Sequence, residues 1–312
     1  MSPKLACVFL PALLACAPAR PSSPPALTGS SASAPAPAAS RPRPRSFSVR
    51  VAGHGPPLIL IPGLACNGSV WDDFVNHYAG RYEMHVLTLA GFGGERALPE
   101  TTLASVRAEL AGYIREAGLR KPIVVGHSLG GALAFALAER EPETVGAVVA
   151  VDGVPYLPAL MNPAATPELM AARARQLADA IAQAPPEAFR AQNRASVATM
   201  VSAPADVDRI AAWGAASDPR TVGNAMAELM TTDLRADEGR IRVPVLLFAA
   251  AKEATTPEAR SALSAAYEAQ VAQIGDHRVV LAEHARHFVM LDDPSFLYAT
   301  FDAFAPHAAG GR

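Results

Sequence analysis

The chain has 312 residues, half of them apolar, and a formal net charge of −2. That is enough apolar material for one large core, with no charge excess of the kind that draws a protein to nucleic acid or to an anionic membrane surface. The three cysteines, Cys7, Cys16 and Cys66, form no metal-ligand cluster, and two of them sit in the N-terminal segment, so the remainder of the chain closes no internal disulfide.

Residues 1–16 read as a targeting segment. Lys4 supplies one positive charge, and residues 5–15 form an apolar stretch too short to cross a bilayer. It closes with Leu13-Leu14-Ala15-Cys16, which resembles a bacterial lipobox and implies cleavage before Cys16 and lipidation of that cysteine. Ordinary signal cleavage after Ala17, on Ala15-Cys16-Ala17, is the alternative. Either route is expected to export the chain. The first leaves it anchored to the membrane by lipid alone; the second leaves it periplasmic or secreted. Residues 17–46 are rich in Pro, Ala and Ser and end in Arg41-Pro42-Arg43-Pro44-Arg45, an extended tether with too little apolar surface to fold.

The folded part is expected to begin near Phe47. Residues 47–52 alternate like a strand, residues 54–56 read as a turn, and residues 57–62 are a continuous apolar run, the pattern of a strand buried on both faces. A loop over residues 63–68 follows, then a helix with Ser69 as its expected cap and Trp71, Phe74 and Tyr78 on it. Residues 83–89 predict a strand. Residues 101–117 predict an amphipathic helix with Leu103, Val106, Leu110 and Ile114 on one stripe and Gly118 just beyond its end.

Residues 123–126 predict a strand and residues 129–139 a helix, with Gly126-His127-Ser128-Leu129-Gly130-Gly131 between them. A strand that runs straight into a helix needs a sharp turn, which projects the residue at its tip into open space and places it at the positive end of the helix. Ser128 occupies that tip and reads as a nucleophile. A further buried strand is expected over residues 145–151. Residues 154–235 then lack any strand signal and carry only helical patterns, such as residues 168–184 and 219–234. Strand–helix alternation resumes with a strand at 243–250, a helix at 257–273, a strand at 278–282 and a last helix from Pro294.

Alternating strands and helices imply a mostly parallel sheet covered on both faces. The block over 154–235 is too long for a connection and reads as an inserted helical cap above the carboxyl ends of the strands. The domain is then assembled from residues 47–153 and 236–312, with the cap between.

With these features in order, the sequence resembles the α/β-hydrolase superfamily over about residues 47–304. The resemblance rests on Ile61-Pro62-Gly63, Gly91-Phe92-Gly93, the turn around Ser128, the position of the cap, and His287-Phe288 ahead of Pro294. It implies an α/β-hydrolase fold and a serine hydrolase that needs no cofactor or metal. A nucleophilic serine needs a base. The family draws its base from the loop after the last strand, where His287 stands seven residues before Pro294, with His284 as the rival. The third member is a carboxylate that orients the imidazole. The family commonly places an Asp after the strand here expected at 243–250; in this chain Glu253 stands there. Some relatives draw the acid from the preceding strand end, where this chain has Asp152, so Glu253 and Asp152 both stand as candidates, ahead of Asp292 and Asp276. The oxyanion hole is expected from the backbone N–H groups of Leu64 and Leu129. Among cap residues, Trp213 and Met161 are the expected pocket walls. A serine at the tip argues against the dehalogenases and epoxide hydrolases of this fold, which carry Asp there. The expectation is therefore cleavage of carboxylic esters of small-to-medium apolar substrates through an acyl-enzyme. A ligand-binding sensor, an acyltransferase and a carbon–carbon bond hydrolase are the alternatives.

Overall fold

Among the strands, the apolar runs and the alternating ones end up in different surroundings. The computed structural model describes residues 45–310, so the export segment, Cys16 and all but the last two residues of the tether lie outside the described residues. Seven strands occur there: β1 (Phe47–Gly53), β2 (Pro57–Ile61), β3 (Glu83–Leu89), β4 (Ile123–His127), β5 (Ala147–Val151), β6 (Val245–Ala250) and β7 (His277–Ala282). They form one sheet in the order β1-β3-β2-β4-β5-β6-β7, with β1 antiparallel to β3 and every other pairing parallel.

Successive side chains of a strand point to opposite faces, so a strand buried on both faces reads as an unbroken apolar run. In β2, Ile59 and Ile61 face one layer and Leu58 and Leu60 the other, and all four are fully buried. The first layer is made by α2 (Leu103–Glu116), α3 (Leu129–Arg140) and α8 (Pro257–Glu268), and the second by α1 (Asp72–Tyr78) and α10 (Pro294–Gly310). Strand β1, at the edge, keeps the alternation read from its sequence over its first four residues, with Phe47 buried and Val49 half-buried while Ser48 and Arg50 are exposed; Val51, on the face of Phe47, is exposed and departs from it.

The architecture is the α/β-hydrolase fold that the sequence implied. The helical insertion between β5 and β6 holds α4 (Pro167–Gln183), α5 (Pro186–Met200), α6 (Pro204–Ala215) and α7 (Pro219–Thr231). It is two hairpins, one inside the other: α4 packs on α7, and α5 packs on α6. Contacts with loops at the carboxyl ends of the strands hold it in place. Asp218 N–H donates to Gly91 O at 2.8 Å, Ser217 Oγ is within 3.3 Å of Ala65 O, and Phe288 N–H donates to Met200 O at 3.2 Å. A short helix after β7, α9 (Val289–Asp292), lies next to this last contact.

Some boundaries moved. The strands expected from residues 145 and 243 begin at Ala147 and Val245, and the helix expected to run to 273 ends at Glu268. Ser69 is not the cap of its helix. Asn67 accepts the Ser69 N–H at 3.0 Å and starts a 3-10 turn, Gly68–Trp71, that leads into α1. An amide oxygen reaches its own backbone two residues on, which makes Asn a good turn initiator.

Candidate active site

The elbow begins with β4. Its last residue, His127, pairs with Val151 of β5, so the chain leaves both strands at the same level. Both exits are strained in the same sense: Ser128 has φ 53° and Asp152 has φ 50°, the left-handed region that non-glycine residues seldom adopt. Ser128 is held by its N–H to Val151 O at 2.9 Å, and its own carbonyl accepts from Gly131 N–H at 2.9 Å and Ala132 N–H at 3.1 Å. Asp152 is held one strand over by its N–H to Phe248 O at 2.9 Å.

The glycines around this turn are there for space. A Cβ at Gly126 would stand 2.1 Å from Gly130 O, one at Gly130 2.3 Å from Ile61 O, and one at Gly153 2.3 Å from Ser128 O. The N-terminus of α3 therefore presses on the ends of β2 and β4, and the backbones after β5 and β4 nearly touch. The sheet order reverses between β2 and β4, the switch point where open α/β sheets bind ligands. Leu129 is the first residue of α3, so its N–H has no carbonyl within the helix to bond. Across the crevice, Gly63-Leu64-Ala65-Cys66 forms a tight turn closed by Cys66 N–H to Gly63 O at 3.2 Å, with Ala65 at φ 58°.

The loop after β7 brings His287 to this place. His287 Nδ1 donates to Asp152 Oδ2 at 2.6 Å. The other oxygen, Oδ1, accepts the Ala250 N–H at 2.8 Å and the Tyr267 hydroxyl at 2.6 Å. Burial alone would push the Asp152 carboxyl up. The hydrogen bonds from His287, Ala250 and Tyr267, together with the charge on His287, outweigh it and hold the carboxyl below its ordinary value. Asp152 is thus an anion with three donors and a fixed orientation.

His127 ties the loop to the elbow. Its Nε2–H donates to the main-chain carbonyl of His287 at 3.1 Å, and its ring lies 4.6 Å from the rings of both His287 and Phe288. Burial, and then the charge on His287, drive His127 well below its ordinary pKa, so it is neutral. Its Nδ1 faces Gly63 and has no hydrogen-bond partner among the described residues. A Cβ on Gly63 would come within 2.7 Å of that nitrogen.

The other candidates stand elsewhere. Glu253 is not beside the imidazole. Its side chain is 69% exposed and its Oε1 accepts from Arg286 Nε at 2.9 Å, because the chain after β6 turns outward and the neighbouring cation captures the carboxylate. Asp292 accepts from Ser202 N–H at 2.8 Å, Ser202 Oγ at 2.7 Å and Arg286 N–H at 2.9 Å, which joins the α5–α6 turn to the segment flanking His287. His284 is exposed on the turn after β7. Met161, at the end of a short 3-10 turn, is 56% exposed and no part of the buried cluster of Tyr156, Ala159 and Ala165, so it is not a wall of an enclosed pocket. Trp213 is half-buried against the α5–α6 packing, with the Arg209 guanidinium 5.6 Å from its ring centre. Leu64 packs against the cluster of Ala174, Met226 and Met230 in the α4–α7 hairpin, as does Met170. Cys66 is buried, and burial pushes its thiol up to about 12, so it acts as an inert filler. A surface cleft of about 390 Å³ lined by Ser48, Arg50, Asn67, Thr88 and Glu95 involves none of the residues gathered around His287. Tyr267 is the participant that sequence reading missed, since a tyrosine on an amphipathic helix carries no local signal of its partner.

A strained serine at a strand–helix elbow, a carboxylate at the neighbouring strand end and a histidine from the loop after β7 are the parts of a serine hydrolase site. The chain belongs to the α/β-hydrolase fold family, whose model matches residues 56–294, and within it the protein is a carboxylesterase-like enzyme. It is similar to the pimeloyl-acyl-carrier-protein methyl ester esterase of Nitrosomonas europaea, with 28% identity over 271 residues that cover 83% of this chain and 99% of the relative. The enzyme of the same description from Chromobacterium violaceum is 30% identical over 217 residues, covering 67% of this chain and 80% of the relative. Among solved structures, a thermophilic esterase from Thermogutta terrifontis superposes with a TM-score of 0.68 at 18% identity, covering 84% of this chain and 93% of that one. At that identity the likeness speaks for the fold alone.

Proposed function

We propose that this protein is an exported serine carboxylesterase that cleaves ester bonds of small-to-medium apolar substrates through an acyl-enzyme, with Ser128, His287 and Asp152 as its triad. The observation that carries the reading is the 2.6 Å bond from His287 Nδ1 to Asp152 Oδ2, made one strand away from the strained Ser128. With Nδ1–H committed to Asp152, the lone pair of His287 Nε2 is the basic site of the ring. Ser128 Oγ attacks the acyl carbon as Nε2 takes its proton. The Leu64 and Leu129 N–H groups receive the charge that develops on the carbonyl oxygen. The tetrahedral adduct collapses, the alkoxide leaves with the proton from Nε2, and an acyl group remains on Ser128. Water then repeats the sequence, and the acid is released. Asp152 stays ionised throughout and stabilises the imidazolium.

Two further features support the substrate class. The relatives act on a methyl ester, which agrees with a small alcohol as leaving group. Leu64 and the methionines of α4 and α7 supply adaptable apolar surface next to the turn that carries the oxyanion donor. For placement, the lipobox-like run ending at Cys16 supports a lipid-anchored enzyme of the bacterial cell envelope. A panel of p-nitrophenyl esters tests the activity, with a fluorophosphonate probe to label the nucleophile. Wild type is expected to turn over short and medium chains and to take one label, and Ser128→Ala to lose both. A wild-type protein that is neither labelled nor active would instead be a ligand-binding member of the fold.

A further inference from the structure

We propose that Tyr267 is a positioning residue of this site: its hydroxyl, carried on α8, holds the Asp152 carboxylate and sets how much of that carboxylate's charge His287 feels. The inference rests on the reading of Ser128, His287 and Asp152 as a triad, and it assigns a role to a residue that touches neither substrate nor serine.

The geometry is that of a dedicated donor. Tyr267 is 5% exposed, and its hydroxyl lies 2.6 Å from Asp152 Oδ1, as close as His287 Nδ1 lies to Oδ2. The two oxygens of one carboxylate are therefore gripped from opposite sides, by α8 and by the loop after β7. Burial, reinforced by the charge and hydrogen bond of Asp152, pushes the Tyr267 phenol well above its ordinary pKa, so at neutral pH it is an O–H donor. Helix α8 is itself fixed at both ends. Thr256 caps its start through Ala259 N–H at 3.2 Å. Just past its end, the Gln270 side chain accepts the Tyr156 N–H at 3.0 Å, which binds the segment leaving Asp152 to the same helix.

The position of α8 gives the contact its meaning. The family's usual acid follows β6, and in this chain that strand end carries no carboxylate aimed at His287. It supplies the Ala250 N–H to Asp152 instead, and the helix that follows supplies the Tyr267 hydroxyl. With the acid on β5, the β6–α8 unit has become its support. A carboxylate with three donors spreads its charge over all of them; with one removed, more of it falls on those that remain. The other titratable side chains around the pair do not compete. His127, at the end of β4, is kept neutral by burial, Arg286, next to His287, is engaged by Glu253, and Asp292 is held by Ser202 and the Arg286 N–H.

The test is Tyr267→Phe in the full-length protein, read as a pH profile of kcat/KM on a p-nitrophenyl ester. Losing the donor leaves His287 facing a more concentrated charge, so it holds its proton to higher pH. The acidic limb is expected to move up by about half a pH unit. At neutral pH kcat should fall about tenfold, the scale of one hydrogen bond to a charged group, with KM unchanged. Replacing Tyr267 with 3-fluorotyrosine makes the phenol a stronger donor and is expected to move the limb the opposite way. A hydroxyl that only satisfies its own burial would lower stability and leave the limb in place in both variants, and that result overturns the proposal. Should Tyr267→Phe fail to fold, the fluorinated protein decides alone. An NMR titration of His287 in wild type and variant needs no turnover. It decides the Tyr267 assignment even if the esterase reading fails, which absent labelling of wild-type Ser128 would reveal separately.

Discussion

The ends of β5 and β6 are neighbours in the sheet, and each offers a carboxylate: Asp152 directly after β5 and Glu253 three residues after β6. One has a side chain only 9% exposed, carries three donors and meets His287; the other stands in solvent and pairs with Arg286. Residue type does not separate them, since either carboxylate can orient an imidazole. What separates them is the direction of the chain as it leaves the strand. The left-handed turn at Asp152, with Gly153 packed against the Ser128 carbonyl, bends the side chain inward over the sheet. After β6 the Lys252 N–H bonds Ala285 O at 3.1 Å, and the next residue, Glu253, faces outward. At these two strand ends the backbone turn and the ring of donors decide which carboxylate meets His287.

That contrast breaks most easily at Asp152. Asp152→Asn keeps the shape and removes the anion, and kcat is expected to fall by up to ~10⁴ while binding of substrate persists. Steady-state kinetics beside a fluorophosphonate labelling rate would measure it. A loss under tenfold would mean that the imidazole takes its orientation from another group.

A second buried carboxylate sharpens the comparison from the other side. Glu238 is 1% exposed, its Oε2 has no hydrogen-bond partner among the described residues, and burial raises its pKa to about 7. Asp152 is lowered because its donors outweigh its burial; Glu238 is raised because its donors do not. The signs of their linkage to stability are opposite. The stabilisation from Asp152 is present above its unfolded value of about 3.9 and is lost as pH falls through its lower folded value. For Glu238 the unfolded chain ionises first, near pH 4.3, so stability is expected to decline as pH rises from about 4.3 to about 7 and to level off above that. Glu238→Gln should flatten the decline. Urea midpoints at pH 4 and pH 8 would show it, and parallel curves for wild type and variant would contradict the assignment.

The smallest effect is expected at Glu253. Glu253→Gln removes an exposed ion pair, and a pair of that kind contributes roughly 0–1 kcal/mol. Its kcat on the same ester should stay within about twofold of wild type, since it touches none of the reacting groups. A large loss would restore Glu253 as the acid and sink the distinction between the two strand ends.

Much of this arrangement was legible one segment at a time. The tight turn around Ser128 shows in sequence because its glycines are demanded by backbone contacts a few residues apart, such as Gly126 on Gly130. The doubly buried strands show because a core on both faces admits only apolar side chains. The cap shows as a missing strand signal. Asn67 escaped because Ser69, two residues on, is an equally good local cap, and the choice depends on where the first N–H points. Met161 escaped because an apolar residue in a cap carries the same letter whether it faces a pocket or solvent. The Asp292–Ser202 bond, which seats the α5–α6 hairpin beside His287, joins residues 90 positions apart and leaves no periodic trace.

The sequence by itself therefore determined the hydrolase fold, the serine at its elbow and the histidine in its last loop, because each is written in short-range spacing and burial. Only the tertiary structure shows that Asp152 meets His287 and Glu253 does not, and it added the Tyr267 contact and the neutral His127. A carboxylate's role depends on the charges and donors within about 3 Å of it, and here those come from β6, α8 and the loop after β7, elements that meet only when the sheet is assembled.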